Sequence, residues 1–476
     1  MGSLTSSLIT ASNAMDAMEQ AMSVIQNNVV NASTPGYVTQ TLTLNSKSFN
    51  PAQNVWGGVQ VGAVVSSRNE YAEENVWNQN TLLGAATQQS SSLSALQNIF
   101  GISGQSGIPS ALSSLYSAFS AWSSTPTDVN AQQQVLSSAQ SVAQAFNQTA
   151  TSVQQLEQQT DGQLQSTINQ INQLTSRIAT YNSQIRTGSA NDGGLQAQLY
   201  NALESLSGLT NIQARVESDG TVSVLMDGQV PLVLGTTQEQ LSVSYPAPPS
   251  PTYPGATPNA QILAGSGTDV TGLATGGQLG GLLQFRNTTL PSIIGNGSQQ
   301  GTLNQLAQAF ADRVNQLLEN GQTNTGTAGS ALFTYDPTAP TSVAATLAEN
   351  SSLTGSQLAP VDPGPPPVAN GVASALTALS SPTASTDMIN GQSYTDFYGS
   401  IAAQIGMQSS TATSNQSTQS DLLAQAQNLR AQVSGVSLND QAATLLQFQQ
   451  AYEAAAQLIN VINTTTQYLM NSVATA

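Results

Sequence analysis

The sequence predicts a mainly α fold with a β-rich insert, made of terminal coiled-coil helices, a rod domain of long helices and a small inserted β domain. Three observations support this prediction. The two ends of the chain carry matching heptad stripes of apolar residues, residues 128–186 lack proline, and residues 212–235 alternate apolar and polar side chains around two Asp-Gly pairs. Helical patterns therefore surround a shorter segment that has the period of a β-sheet.

The apolar stripes at the two ends have spacings that alternate between three and four residues. Such a narrow stripe is typical of a helix that packs against one or two partner helices. The two helices could pair with each other, pair with neighbouring subunits, or belong permanently to one bundle. The N-terminal stripe is Leu4, Leu8, Ala11, Met15, Met18, Met22, Ile25 and Val29, and the C-terminal stripe is Leu445, Phe448, Tyr452, Ala455, Ile459, Ile462, Thr466, Leu469 and Val473.

A Pro-Gly turn is predicted directly after the first helix. Pro35 cannot donate a backbone hydrogen bond, and it restricts Thr34 to an extended conformation. Thr34, Pro35, Gly36 and Tyr37 therefore predict a β-turn, with glycine at the third position, where a type II turn requires a positive φ. The alternating residues 37–46 are predicted to be extended.

Further helices are predicted between the two ends from their apolar periodicity and their stop signals. Pro109 suits a first helical turn, the Asn-Asp-Gly-Gly sequence at 191–194 ends the longest segment, and Gly435 is a good C-terminal stop. The predicted helices cover residues 75–100, 106–122, 128–186, 195–209, 302–321 and 396–435.

The β-rich insert begins after the helix at 195–209, and its Asp-Gly pairs predict tight hairpins. Two Pro-rich segments, 244–258 and 359–371, are expected to be extended or mobile loops. The predicted domains are a terminal coiled-coil assembly domain (1–48 with 436–476), a helical rod domain (49–208 with 276–435) and the inserted β-rich domain (209–275).

Composition excludes several classes of function. The chain has 476 residues, of which 8 are basic and 25 acidic, with a formal net charge of −17. This balance disfavours binding to nucleic acid or to an anionic membrane surface, because both require clustered Lys and Arg. The chain has no cysteine and no histidine, which excludes disulfides, Cys-ligated metals and Ser-His-Asp triads. No apolar stretch predicts a membrane span, and the first residues do not form a Sec-type signal peptide.

No catalytic, cofactor or metal site is predicted, so we expect the chain not to be an enzyme. The glycine-rich residues 276–281 lack the Lys-Ser/Thr pair of a phosphate loop and are interpreted as a turn into a helix. Glu73 and Glu74 are adjacent, so a helix would point them to different sides. The aspartates of the Gly-rich turns, such as Asp269, do not form a calcium-loop pattern.

The sequence IQNNVVNASTPGYVTQ at residues 25–40 resembles the N-terminal signature of bacterial flagellar axial proteins, in which a helix ends in an NNIANANTPGY-like run. Here Val29 and Val30 replace Ile and Ala, and Ser33 replaces an Asn. Rod, hook and hook-associated proteins share this signature, so it indicates only the superfamily.

The C-terminal residues narrow the resemblance from the superfamily to one family. Residues 434–471 resemble the terminal segment of the hook-associated protein 1 family, whose pattern is S-G-V-N-L-[DE]-E-E-A followed by L-L-x-[YF]-Q-Q-A-Y-x-A-[SA]-A. Asn439, Asp440 and Gln441 depart slightly from its acidic triplet. The segments GGQLGGLLQFRN and YTDFYGSIAAQIG resemble further signatures of that family. The resemblance covers about half of the chain and does not extend to the β insert.

The resemblance implies a structural protein that joins the flagellar hook to the filament. Subunits would stack into a ring on the distal end of the hook, binding hook protein on one side and the second hook–filament junction protein on the other. It also implies an extracellular location, export in an unfolded state through the flagellar type III apparatus with an export chaperone, no cleaved signal peptide, and terminal helices that fold on assembly. The predicted assembly interface is Leu4, Leu8, Met15, Met18, Met22, Ile25 and Val29 with Leu445, Phe448, Tyr452, Ile459, Ile462 and Leu469.

Three alternatives remain open. Another axial protein, such as hook or distal rod protein, shares the N-terminal signature, although the long helix from Asp128 and the C-terminal segment argue against it. A carboxylate-only enzyme such as a peptidoglycan hydrolase needs a convergent acid pair, which the sequence does not predict. A surface adhesin would use the β insert as its binding face.

Overall fold

The structure is a computed structural model that describes residues 2–50, 55–101, 106–189, 192–253, 255–265 and 267–474. Its contacts divide the chain into two compact units. Unit 1 consists of residues 1–82, 171–240 and 419–476, and unit 2 consists of residues 83–170 and 241–418. The two chain ends therefore belong to the same unit, together with a segment from the middle of the sequence. The division into three domains stays a prediction.

Helices make up most of the described chain, which confirms the predicted mainly α fold class. π-helical turns at Ile185–Ser189 and Phe285–Thr289 directly follow two of the helices. The helices are α1 (Gly2–Val30), α2 (Glu70–Ile99), α3 (Gly107–Ser124), α4 (Val129–Gln184), α5 (Gly193–Leu209), α6 (Gly277–Gln284), α7 (Leu290–Ile294), α8 (Thr302–Glu319), α9 (Val343–Thr346), α10 (Gly371–Ala378), α11 (Tyr394–Ser434) and α12 (Leu438–Ala474).

The strands form small antiparallel sheets. The strands are β1 (Gln40–Ser46), β2 (Phe49–Asn50), β3 (Val55–Trp56), β4 (Val59–Ser66), β5 (Ile212–Val216), β6 (Val222–Met226), β7 (Val230–Leu234), β8 (Thr237–Gln238), β9 (Leu241–Ser244), β10 (Gln261–Ala264), β11 (Thr268–Asp269), β12 (Phe333–Thr334) and β13 (Ala348–Glu349). Their pairing orders are β1-β4, β2-β3, β5-β6-β7-β8, β11-β10-β9 and β12-β13.

The long helix predicted over residues 128–186 is present as α4, which runs for 56 residues without interruption. Most of its predicted apolar positions, among them Val135, Phe146 and Ile171, are fully buried, whereas Leu156 and Leu174 are partly buried. The helix ends in the π-helical turn, where Gly188 has φ 117°, a value that residues with a Cβ rarely adopt. Asn191, which belongs to the predicted stop sequence, lies outside the described residues.

The β-rich insert contains the predicted hairpins but not one sheet. Asp227 and Gly228 join β6 to β7 with φ values of 51° and 67°, as a type I′ turn requires. Sheet β5–β8 belongs to unit 1, whereas the sheet of β9, β10 and β11 belongs to unit 2. The Pro-rich segment that starts at β9 contains Pro254, which lies outside the described residues.

The extended segment predicted after the Pro-Gly turn is β1, and its partner β4 was not predicted. The alternation of exposed and less exposed residues along β4 breaks at Gly62, where an added Cβ would lie 2.3 Å from the Thr43 hydroxyl oxygen. The register of the pair shifts between Leu42 and Leu44 at the same place. A bulge of this kind removes the two-residue period on which a strand prediction depends.

The core of unit 2 is built around aromatic side chains. Phe310 of α8 lies 6.4 Å from Tyr116, 5.6 Å from Phe333 and 5.4 Å from Tyr394, measured between ring centroids. Helices α3, α4, α8 and α10 contribute buried aliphatic residues to the same core. The Pro-rich segment at 359–371 is tied into this unit, because Val361 exchanges backbone hydrogen bonds with Gln322.

Candidate functional site at the two chain ends

A buried asparagine connects the two ends of the chain. Asn28 is fully buried near the end of α1, and its Nδ2 donates to the Gln40 carbonyl (2.8 Å) and to Oε1 of Gln441 in α12 (2.9 Å). Its Oδ1 accepts hydrogen bonds from the Tyr37 hydroxyl and the Gln40 N–H, both 2.9 Å long. All four hydrogen-bonding positions of this amide are therefore used, as a buried polar group requires.

The Thr34–Tyr37 segment turns the chain from α1 towards β1. The Tyr37 N–H donates to the Thr34 carbonyl (3.1 Å), and Gly36 has φ 76°, as the third position of a type II turn requires. A Cβ on Gly36 would lie 2.4 Å from the carbonyl oxygen of Ala197 in α5. Glycine is required here twice, once for the backbone conformation and once for the close approach of α5.

The short connection between α11 and α12 is fastened to the same region. The Ser434 carbonyl accepts a hydrogen bond from the Thr39 N–H (3.1 Å), and the Gly435 carbonyl accepts one from the Thr39 hydroxyl (2.8 Å). The Ser434 hydroxyl accepts from the Asn69 N–H (3.1 Å). The predicted stop at Gly435 is thus also the point where the C-terminal part of the chain meets β1.

Four charged side chains form a network beside the turn, of which Arg68 and Glu73 are buried and Glu204 and Arg430 are partly buried. Glu73 contacts both Arg68 and Arg430, and Arg430 Nη1 also lies 2.7 Å from Glu204 Oε2. Arg68 Nη2 donates to the Gly36 carbonyl (2.7 Å), and its guanidinium lies 3.6 Å from the centroid of the Tyr200 ring. One network therefore holds residues from the turn, α2, α5 and α11.

Burial and charge act in opposite directions on these groups. Burial lowers the pKa of Arg68 in spite of the nearby Glu73 carboxylate. Burial also disfavours the charge of Arg430, but the hydrogen bonds and negative charges of Glu204 and Glu73 outweigh it and raise its pKa. Burial raises the pKa of Tyr200 to about 12, although the Arg68 charge opposes this change. We call Asn28, Gly36, the four-charge network and the Ser434–Gly435 connection the chain-end site.

The terminal helices α1 and α12 pack against each other, whereas the assignment of individual seam residues stays a prediction. Ile25 and Ile462 are buried, whereas Val29 is 43% exposed and Leu469 is 46% exposed. Asn28, which precedes Val29 in the sequence, is fully buried instead. The remaining predicted seam residues are partly buried: Leu4, Leu8, Met15, Met18, Met22, Leu445, Phe448, Tyr452 and Ile459.

Both terminal helices also carry large apolar side chains that this pairing leaves exposed. On α12 these include Leu458, Val461 and Tyr468, and on α1 they include Ile9 and Val30. An exposed apolar face of this length is typical of a surface that another protein covers. The seam and this second face lie on different sides of α12, because successive residues of a helix point about 100° apart.

Unit 2 contains a separate charged cluster around Arg286, which lies in the segment GGQLGGLLQFRN. The Arg286 side chain is buried, with Nε 2.7 Å from Asp161 Oδ1 and Nη1 3.2 Å from Glu157 Oε1. Its Nη2 donates to the Pro258 carbonyl (3.0 Å), which fastens the end of the Pro-rich segment. Burial raises the pKa of Glu157, opposed by the Arg286 charge.

Neither charge cluster is predicted from the sequence. Glu73 and Glu74 indeed point differently, since Glu73 is buried and Glu74 is exposed, but the arginine partners of Glu73 were not predicted. The available signal is the scarcity of basic residues: four of only 8 in the chain, Arg68, Arg286, Arg313 and Arg430, form close ion pairs. In each of these pairs an arginine neutralises a carboxylate that the fold brings close to it.

Among the described residues, no group of three or more acidic side chains is arranged to hold a metal ion. No helix in the described part of the chain is long and apolar enough to span a membrane.

Comparisons with known proteins identify the family. A family model for the helical domain of the flagellar hook-associated protein FlgK matches residues 93–333, which is half of the chain. The chain belongs to this family. Membership confirms the resemblance to hook-associated proteins and a structural role in the flagellum.

Similar proteins span almost the whole chain. Flagellar hook-associated protein 1 of Bacillus subtilis is 25% identical, with 95% of this chain and 95% of that protein aligned. The proteins of the same name from Escherichia coli and Salmonella typhimurium are 24% and 26% identical, with 98% of this chain and 100% of each relative aligned. The fold is similar to that of the flagellar hook junction protein FlgK from Burkholderia pseudomallei, with a TM-score of 0.65 and 19% identity over 76% of this chain and 100% of that one.

Proposed function

We propose that this chain is a structural junction protein of the bacterial flagellum, which assembles as a ring at the distal end of the hook. The ring would bind hook protein on one side and the second hook–filament junction protein on the other. The observation that carries the proposal is the joining of the two chain ends through Asn28, in a chain of the hook-associated family. Its role is structural rather than enzymatic, and its buried acid clusters serve to hold the fold together.

The terminal helices would supply the assembly interface. One side of each helix is used in the α1–α12 pair, and the exposed apolar face that includes Leu458 and Val461 is available to neighbouring subunits. Burying one large apolar side chain contributes about 1.5–3 kcal/mol, so several of them per subunit suffice to hold a repeating contact. The predicted residues Val29 and Leu469 also belong to this outer group, since both are exposed.

We further infer that the chain is exported unfolded through the flagellar type III apparatus, with an export chaperone, and acts outside the cell. The exposed apolar side chains of α12 support the need for a chaperone, because such a face promotes aggregation until it is covered. Family membership supports the route and the location.

Electron microscopy of purified protein mixed with bare hooks tests the proposal. Full-length protein should cap hook ends, and a chain without residues 1–40 and 436–476 should not. Three consecutive substitutions in α12 separate the two faces: Ile459→Asp in the seam, Val461→Asp on the outer apolar face, and Asn460→Asp on the polar side. Each adds one negative charge at nearly the same height along the helix.

We expect Ile459→Asp to open the α1–α12 pair and abolish capping, as Met22→Asp should on the facing helix, because a buried unpaired charge is costly. Val461→Asp should keep the pair and lose capping, whereas Asn460→Asp should cap normally. Unit 2 should stay folded in all of these variants. Capping by both Ile459→Asp and Val461→Asp would contradict the assembly role of the terminal helices.

A further inference from the structure

Unit 1 contains a groove between the first two turns of α2 and strand β5. Two cavities of about 240 Å³ and 580 Å³ lie along it. Both are lined by Glu74, Trp77, Ala214 and Arg215, so they are parts of one continuous groove. The groove is large enough for several residues of an extended chain, and the proposed junction function does not use it.

One wall of the groove is an unpaired sheet edge. Strand β5 is the first strand in the order β5-β6-β7-β8. The Asp227 N–H donates to the Asn211 carbonyl and the Glu217 N–H donates to the Thr221 carbonyl, so odd-numbered positions of this strand face β6. In an antiparallel pair the intervening residues direct their N–H and C=O groups the other way.

These outward groups belong to Ile212, Ala214 and Val216. Within the described part of the chain, none of them forms a backbone hydrogen bond on that side. A row of unpaired N–H and C=O groups is a template on which another extended chain can form a strand.

The opposite wall contains a buried donor without a partner. Trp77 is 6% exposed, lines both cavities and packs its ring against Tyr200 at 6.0 Å between centroids. Its indole N–H has no hydrogen-bond partner among the described residues. Buried donors are normally satisfied, so this group is a specific position at which a bound chain could place a carbonyl oxygen.

The charges at the groove favour a basic ligand. Glu70 and Glu74 are exposed one helical turn apart on α2, and Arg215 lies on the strand wall. None of these three forms an ion pair within the described residues. Two carboxylates against one guanidinium leave a net negative charge, in a chain whose own net charge is −17. A second copy of this chain, with only 8 basic residues, is therefore a poorly matched occupant.

We propose that this groove binds an extended segment of another protein, which adds a strand to β5 and directs a basic side chain towards Glu70 and Glu74. Main-chain hydrogen bonds to Ala214 and Val216 would supply affinity, and the acidic pair with the Trp77 indole would supply selectivity. This binding site is independent of the terminal helices, so its test does not depend on hook binding.

The experiment uses full-length protein labelled with 5-fluorotryptophan and followed by ¹⁹F NMR. The chain has 3 tryptophans, and Trp77→Phe assigns the resonance of interest. The probe is an acetylated and amidated peptide of about eight residues that alternates Lys-Val-Thr-Val, and the matched control peptide has Glu in place of each Lys. We expect the Lys peptide to shift the Trp77 resonance saturably and to bind at least about five-fold more tightly than the Glu peptide.

Two variants locate the bound strand. Val216→Pro removes one outward N–H but leaves the pairing with β6, and an edge strand tolerates proline. It should weaken binding of the Lys peptide about ten-fold, whereas Val216→Thr, which keeps the N–H, should stay within about two-fold. The double variant Glu70→Gln with Glu74→Gln should remove the preference for the Lys peptide, and it serves as the test if Val216→Pro does not fold.

Three results would overturn the proposal. The first is no saturable shift of the Trp77 resonance at millimolar Lys peptide. The second is unchanged binding in folded Val216→Pro or in the double glutamine variant. The third is a Trp77 shift that grows with protein concentration alone, which would identify a second copy of the chain as the occupant.

Discussion

Asn28 in α1 donates a hydrogen bond of 2.9 Å to Gln441 in α12, across 413 positions of sequence. The same amide holds Tyr37 and Gln40 at the start of the first strand. A buried amide in a helical seam fixes the register of the two helices, because a shifted register would leave it unpaired. One side chain therefore connects the end of α1, the turn and the start of α12.

Replacing Asn28 with alanine should loosen the chain-end site selectively. The change leaves the Gln40 N–H and the Tyr37 hydroxyl buried without their acceptor, and each such group costs about 1–3 kcal/mol. We expect the free energy of unfolding of unit 1 to fall by roughly 2–4 kcal/mol. Hydrogen exchange during urea titration measures this, with faster exchange in α1 and α12 and unchanged exchange in the core of unit 2.

Asn27→Ala is the matched control, because Asn27 is exposed and its side chain only accepts a bond from Asn31 within the same helix (2.6 Å). Its effect on the free energy of unfolding should stay within about 0.5 kcal/mol. Equal effects of the two substitutions would show that Asn28 has no special role.

Gly36→Ala should destabilise unit 1 by more than backbone strain alone would. Gly36 and Gly235 both have positive φ, 76° and 57°, but only Gly36 has a neighbour where the Cβ would lie. Gly235→Ala should cost about 1–2 kcal/mol for the left-handed conformation. Gly36→Ala should cost at least about 2 kcal/mol more, since the Ala197 carbonyl must move. Urea unfolding of both variants measures the difference, and similar midpoints would rule out the close approach of α5.

The Pro-Gly turn was predictable because its determinants are local. Pro35 and Gly36 restrict their own backbone angles, whatever surrounds them. The heptad pattern was less certain at its end, because a step of three or four residues from Ile25 reaches either Asn28 or Val29. Hydrophobicity favoured Val29, whereas the structure buries Asn28, since β1 offers this amide its Gln40 partners.

The buried charges could not be predicted, because their partners are distant in sequence. Glu73 meets Arg430 357 positions away, and Arg286 meets Asp161 125 positions away. No periodic pattern indicates such pairs, and the same residues on a solvated surface would look identical in the sequence. The free edge of β5 could not be predicted from the sequence either, because strand order in a sheet is a long-range property.

Glu73→Gln should strongly destabilise unit 1. Glu73 is almost fully buried and is shared by Arg68 and Arg430, so removing its charge leaves Arg68 buried without a counter-ion. Breaking a buried ion pair from one side costs about 3–5 kcal/mol. Thermal and urea unfolding of unit 1 would measure the loss. Glu74→Gln is the matched control one residue along the helix, and its exposed side chain should change stability by less than about 0.5 kcal/mol.

The Glu157 carboxyl should make the stability of unit 2 depend on pH in a definite direction. Burial raises its pKa above the ordinary value, while the Arg286 charge opposes this and the Asp161 charge adds to it. The folded state therefore keeps the proton to a higher pH than the unfolded chain does. The contribution of this group is fully present below the unfolded pKa of about 4.3 and is lost as pH rises through the folded pKa.

Glu157→Gln isolates this effect, because glutamine cannot ionise. The free energy of unfolding of the wild type, minus that of the variant, should fall as pH rises from about 4 to about 7, measured by urea unfolding at each pH. Other acids in unit 2 are common to both proteins and cancel in the difference. A difference that rises with pH would mean that the Arg286 charge outweighs burial, so that Glu157 stabilises the fold as a carboxylate; the sign of the slope decides between the two causes.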